Sequence, residues 1–240
     1  LGYSVDIISK SGWTAAQIKD SIHTRYHSWS PHPDYFVIIG DHDLVPGEIH
    51  KSPSNDNFAS DLYYACMDGP LDFIADMGFG RISVSSSSQA LEVVQKIINY
   101  ERNPVNDASF YNTGLNCAQF QDENPQNGYA DRRFSLTSED VLNYVSVTKG
   151  YNVTRVYKTE PSVTPTNWNN GYYANGEPLP PYLLKPGFAW DGDATDIKNA
   201  IDNGAFYVLH RDHGYVGGSG WHRPYFVKSN INSLNNGNKL

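Results

Sequence analysis

Three short runs gather the side chains able to move protons or hold charge. They are Gly40-Asp41-His42-Asp43, Asn127-Gly128-Tyr129-Ala130-Asp131, and His210-Arg211-Asp212-His213-Gly214, the last leading into Tyr215-Val216-Gly217-Gly218-Ser219-Gly220-Trp221. An imidazole titrates at about 6.5 and so exchanges protons near neutrality. His213 stands before a glycine-rich stretch whose main-chain N–H groups can approach a substrate closely. That combination suits acid–base work beside a polarised carbonyl. The same runs admit a second chemistry, because Asp41, His42, Asp43, His210, Asp212 and His213 are all oxygen or nitrogen metal ligands. A metal-dependent hydrolase therefore stands as a competing reading. Asp41 also has a plainer role open to it, as a cap on the turn that follows.

The elements that must position these runs follow from periodicity. Short apolar stretches alternate with helical patterns, the signature of strand–helix–strand units around a mostly parallel sheet. Residues 5–8 read as a strand. Thr14-x-x-Gln17 is a capping box opening a helix with Ile18, Ile22 and Tyr26 on one face. The unbroken apolar run Tyr35–Ile39 predicts a strand buried on both faces. Ser86-x-x-Gln89 caps a helix carrying Leu91, Val94 and Ile98, which Asn103-Pro104 ends. Residues 114–118 form a strand, Thr137 caps a helix carrying Val141, Tyr144 and Val145, and Lys149-Gly150 stops it. Strands follow at 151–157 and 205–209, with a helix at about 195–202 between them. Residues 159–192 are rich in Pro, Asn, Gly and Tyr, and a long loop of this kind in a compact domain is more often functional than accidental. Two of the polar runs, 40–43 and 210–214, thus fall at carboxyl ends of strands, where open α/β sheets bind ligands. The third lies in the loop after the 114–118 strand.

Composition sets the outer bounds. A chain of 240 residues with 39% hydrophobic and 13% aromatic residues can bury a core as one large or two small domains, and no linker separates two. No apolar run is long enough to span a membrane. Eighteen basic against 26 acidic residues give a net charge of −8, which argues against a chain-wide nucleic-acid footprint. Cys66 and Cys117 alone make no disulfide framework or thiolate cluster, and they do not decide the compartment. The start at Leu1 and the turn-rich end at 235–240 read as those of a fragment or a processed chain.

The ordered series Tyr35-Phe36-Val37-Ile38-Ile39-Gly40-Asp41-His42-Asp43-Leu44-Val45-Pro46, Ser60-Asp61-Leu62-Tyr63-Tyr64, Gly78-Phe79-Gly80-Arg81-Ile82, Tyr100-Glu101-Arg102-Asn103, His213-Gly214 and Trp221 resembles the gingipain family of cysteine peptidases. The likeness covers the chain apart from residues 159–192. It implies an α/β fold: a caspase-like three-layer α/β/α sandwich with a mostly parallel sheet, incomplete in this chain, within one peptidase domain spanning 1–240. It also implies a Cys-His dyad in an endopeptidase needing no cofactor, acting on protein or peptide substrates outside the cell or on its surface. Carried over, His213 is the general base and the Gly214 N–H an oxyanion donor.

The family's nucleophilic Cys follows at the end of the next strand, a position beyond Leu240. The resemblance therefore implies a thiol supplied by a following segment or a second chain. Cys117 reads as a core residue, and Cys66 does not match the nucleophile position. Asp131 matches the acidic residue with which arginine-specific members hold a basic P1 side chain, with Asp122 and Glu123 nearby. Its alternative is an ordinary pairing with Arg132, Arg133 or a neighbouring loop. Structural calcium is a family feature, for which Asp68, Asp72 and Asp76 are candidate ligands beside the reading as a solvated acidic loop. A hypothesis of another class is a non-catalytic surface-binding domain that uses the Tyr and Trp residues of 159–192.

Overall fold

The computed structural model describes residues 2–52, 55–169, 176–215 and 220–237. It falls into two compact units, Leu1–Arg102 and Asn103–Leu240. Among the described residues no helix is long and apolar enough to cross a membrane.

The first unit contains α1 (Ala15–Ser28), β1 (Tyr35–Ile39), β2 (Glu48–Lys51), β3 (Asn57–Ser60), α2 (Leu62–Ala65), β4 (Gly78–Ile82) and α3 (Ser87–Arg102). The capping box forms as the sequence requires: the Gln17 N–H donates to the Thr14 hydroxyl, and the Thr14 N–H donates to the Gln17 side chain. β1 pairs in parallel with β4, while β2 and β3 form an antiparallel hairpin. Two expectations fail here. Residues 5–8 run without a strand partner, with Val5 75% and Ile7 85% exposed. Alternation alone does not make a strand when no neighbouring edge takes its hydrogen bonds. The β1 run is not buried on both faces either. Ile38 packs with Ile18 and Tyr64, while Tyr35, Val37 and Ile39 on the opposite face are exposed.

The second unit holds β5 (Thr113–Phe120), α4 (Phe134–Asn143), β6 (Asn152–Thr159), α5 (Ala194–Asp202), β7 (Tyr207–Arg211), the two-residue strands β8 (Gly214–Tyr215) and β9 (Gly220–Trp221), and α6 (Lys228–Ile231). The sheet order is β6-β5-β7, all parallel. Central β5 is buried from Gly114 to Phe120. Its side chains alternate between two covers. Leu115 and Cys117 meet Ile197 of α5 and Phe226, whereas Ala118 and Phe120 meet Trp168, Leu179, Leu183 and Trp190 from the long connection. Asn116, on the latter face, donates to the Ser138 carbonyl of α4 at 2.8 Å. Helix, sheet and helix therefore form three layers, and the long connection is part of the core rather than a loose loop.

A buried carboxylate fastens α4 to the sheet. Glu139, 2% exposed, accepts from Arg155 Nε at 2.6 Å, from Arg155 Nη2 at 3.0 Å, from the Tyr157 hydroxyl at 2.7 Å and from the Tyr182 hydroxyl at 3.1 Å. Burial, with the Glu139 charge behind it, pushes the Tyr157 phenol up.

Boundaries shift where tertiary contacts outvote local signals. α4 starts at Phe134, three residues before the expected cap. The Thr137 hydroxyl instead donates back to the Arg133 carbonyl and accepts from Arg211 Nε at 3.0 Å. β7 runs two residues further than the apolar pattern, which takes His210 and Arg211 into the sheet.

Candidate active site

β5 and β7 run in parallel with Ala118 opposite Arg211, so the chain leaves both strands side by side at one edge of the sheet. The Gln121 and Asp131 turn follows β5, and the Asp212-His213-Gly214 turn follows β7.

His213 lies exposed at that edge, in edge-to-face contact with Phe134 at 5.2 Å. Its Nε2 lies 3.3 Å from Gln121 Oε1. An amide oxygen only accepts, so with the Gln121 amide in this orientation the contact favours the neutral tautomer that carries its proton on Nε2 and its lone pair on Nδ1. Gly214 faces Trp221 across the β8–β9 pair, and the His222 N–H donates to the His213 carbonyl at 3.0 Å. Opposed residues in an antiparallel pair alternate between bonded and non-bonded. With 213 and 222 bonded, Gly214 belongs to a non-bonded pair, and its N–H turns away from the partner strand. Residues 216–219, the glycine-rich run read as a close-approach segment, lie outside the described residues, as do residues 170–175 of the aromatic loop.

Gln121 also reaches the second predicted site residue. Its carbonyl accepts the Asp131 N–H at 2.7 Å, while the Asp131 carboxylate accepts the Glu123 N–H at 2.7 Å. Arg132 Nη1 donates to the Asp131 carbonyl at 3.2 Å. Asp122 turns inward: fully buried, it accepts from the N–H groups of Asn127 and Gly128, and burial raises its pKa. Gly128 is required in this turn. Its φ is +86°, and a Cβ there would lie 2.6 Å from Thr166 Oγ1 and 2.9 Å from the Thr164 carbonyl oxygen.

The other histidines of this edge are committed. His210 stacks on Trp221 with centroids 4.4 Å apart and 8° between planes, and burial, with Arg211 and His222 nearby, pushes its pKa down to about 4. It is therefore neutral at physiological pH. His222 Nδ1 lies 3.2 Å from Asp212 Oδ2, and its ring centroid is 6.0 Å from that of His213. The Asp212 side chain is completely enclosed. It accepts the Arg223 N–H at 2.7 Å and the His213 N–H, and the Gln119 amide nitrogen, with that side chain turned toward it, lies 2.9 Å from both oxygens. Burial drives its carboxyl upward, and the His213 and Arg223 N–H groups pull against that. Sequence reasoning took Asp212 only as a metal-ligand candidate and did not single out Gln119 or Gln121. A polar-apolar-polar step, Gln119-Phe120-Gln121, at the end of a buried strand was the available signal.

The remaining candidates serve their own turns. Asp41 Oδ1 accepts the His42 N–H at 2.8 Å, and His42 Nδ1 accepts the Gly47 N–H at 3.0 Å. Asp72 accepts the N–H groups of Asp68 and Ile74, and Asp76 accepts that of Met67. Asp72 and Asp76 thus each accept backbone N–H groups of their own loop. Among the described residues, no three His, Cys, Asp or Glu side chains form a group that could hold a metal ion. Both thiols are sealed. Cys117 lies fully buried in β5, and burial alone pushes its pKa up; Cys66, 1% exposed, donates to the Leu62 carbonyl at 3.2 Å and is also raised by burial.

Against this geometry, a family model described as Peptidase family C25 matches residues 3–240. Lys-gingipain of Porphyromonas gingivalis is 32% identical over 107 residues, covering 43% of this chain and 6% of that protein. Lys-gingipain W83 of the same species is 32% identical over 102 residues, 41% of this chain and 6% of its own length. The chain thus spans a small fraction of these curated relatives. Two solved structures share the fold. The complex of the P. gingivalis RgpB pro- and mature domains gives a TM-score of 0.64 at 20% identity over 93% of this chain and 43% of that one. The Arg-specific cysteine proteinase gingipain R (RgpB) gives 0.62 at 21% identity over 93% and 42%. The caspase-like α/β layering expected from the sequence is thus the fold observed. With the family model running through both units, the chain belongs to peptidase family C25.

Proposed function

We propose that this chain carries the base and oxyanion-donor half of a cysteine endopeptidase site, and that both units are parts of one peptidase domain. The observation that carries the reading is the exposed His213 ring at the carboxyl edge of the sheet, with Nε2 held by Gln121 and Nδ1 left as acceptor. In this mechanism Nδ1 takes the proton of a substrate-facing thiol, and the thiolate attacks the scissile carbonyl. The outward Gly214 N–H hydrogen-bonds the oxyanion of the tetrahedral intermediate. The imidazolium then returns its proton to the leaving amine, and water, deprotonated by the same ring, releases the acyl group. No cofactor enters these steps.

Cys66 and Cys117 are too buried to be the nucleophile. The thiol therefore comes from a following segment or a second chain. Asp131 selects a basic P1 side chain, a role supported by its link through Gln121 to the same edge and by relatives named for Lys and Arg specificity. Protein or peptide substrates are met outside the cell or on its surface.

The assembled enzyme tests this directly. Iodoacetamide is expected to abolish peptidase activity while 1,10-phenanthroline leaves it intact; the reverse pattern discards the thiol mechanism. In the same assay, Asp131→Ala is expected to lower kcat/KM for cleavage after Arg or Lys by about 100-fold, the effect of removing one partner of a desolvated charge pair. An unchanged P1 preference takes Asp131 out of the pocket.

A further inference from the structure

The Asp212 carboxylate has no evident place in the chemistry just described, yet it lies directly before His213 and is wholly enclosed. A carboxylate in that setting is costly unless its oxygens are filled with donors. Here the donors come from three separate stretches of chain. The His213 N–H belongs to the segment entering β8. The Arg223 N–H and the His222 ring belong to the segment leaving β9. The Gln119 amide belongs to β5. One side chain thus ties the two ends of the β8–β9 hairpin to each other and to the central strand. The Gln119 link sits two residues before Gln121, which holds the His213 ring. The His222 N–H to His213 carbonyl bond is the hairpin's first rung, and on the β9 side Trp221 stacks on His210 of β7, so the Asp212 carboxylate is the contact that ties the His213 end to β5 and to the β9 flank together.

Resting on the peptidase reading above, we propose that Asp212 is the positioning residue of this site: its buried carboxylate clamps the β8–β9 hairpin to β5 and so sets the aim of the His213 ring and the Gly214 N–H together. Asparagine at this position keeps the volume but turns an NH2 group toward donors, so at least one N–H loses its acceptor and the hairpin base loosens. The substrate pocket, which uses Asp131 and the loop after β5, is not part of that clamp.

The test is made in the full-length enzyme with Asp212→Asn. Competent sites are counted by end-point labelling with a peptidyl chloromethyl ketone that ends in a basic residue. The expected result is kcat per labelled site lowered about 100-fold with KM within about threefold of the parent. Inhibition by the matching peptide aldehyde, whose adduct places an oxyanion at Gly214, is expected to weaken in step with kcat. Normal kcat per labelled site, with fewer sites, overturns the proposal and leaves Asp212 a folding residue only. If Asp212→Asn gives no labelled sites, Gln119→Met, which removes one donor and keeps the carboxylate, is read in the same way. It is expected to lower kcat about tenfold at unchanged KM, and an unchanged kcat overturns the proposal. Failure of the peptidase reading itself is seen separately, as parent enzyme that the chloromethyl ketone does not label.

Discussion

Replacing His213 with alanine is expected to lower kcat/KM of the assembled enzyme by about 1,000-fold while leaving its unfolding transition in place. The two halves of that result have different origins. The ring is exposed, and among the described residues it meets Gln121 at 3.3 Å, Phe134 edge-to-face and the His222 ring at 6.0 Å, so little packing is lost. The rate loss comes from chemistry, because a thiol without its imidazole is mostly protonated at neutral pH. The nearby rings cannot take over. His210 is stacked on Trp221 and too weakly basic, and His222 has its Nδ1 turned to Asp212. Steady-state kinetics beside thermal denaturation checks both halves. A loss below tenfold at neutral pH would assign the base elsewhere.

The largest effect on stability is expected at Glu139. Four donor contacts meet one nearly inaccessible carboxylate, from β6 on one side and from Tyr182 of the long connection on the other. Glu139→Ala strands the Arg155 guanidinium and two phenols, and is expected to cost about 3–5 kcal/mol. For a domain of this size that corresponds to a fall in Tm of roughly 10 °C. Pairing it with Arg155→Leu separates two explanations. If the cost is the uncompensated cation, the double variant Glu139→Ala/Arg155→Leu recovers at least half of the lost stability in urea titrations. If the cost is the network as a whole, the double variant is no better than the single one.

Local signals carried the sequence a long way. The Thr14–Gln17 box needs only four consecutive residues, and it forms as written. The order of β1, β5, β6, β7 and the longer helices follows from periodicity, whereas β2, β3 and β4 carried no such signal, and the polar run at the end of β7 shows where a parallel sheet offers its loops. What stayed hidden needed partners distant in sequence. Glutamine at the end of a strand is unremarkable until Gln121 is seen bridging to His213, 92 residues away. Residues 5–8 have the alternation of a strand but no edge to bond. Asp212 looked like a metal ligand because an enclosed carboxylate and a solvated one are written with the same letter. The division at Arg102 also left no mark, since Asn103-Pro104 signals only the end of α3.

Gln121 gives the domain a constraint that reaches beyond a single turnover. Its main chain holds the turn that bears Asp131, and its amide holds the histidine. On the roles proposed above for Asp131 and His213, selectivity and speed share a hinge pin. Any attempt to retarget this scaffold by grafting a new loop after β5 will detune the ring unless the graft keeps that one residue where it is.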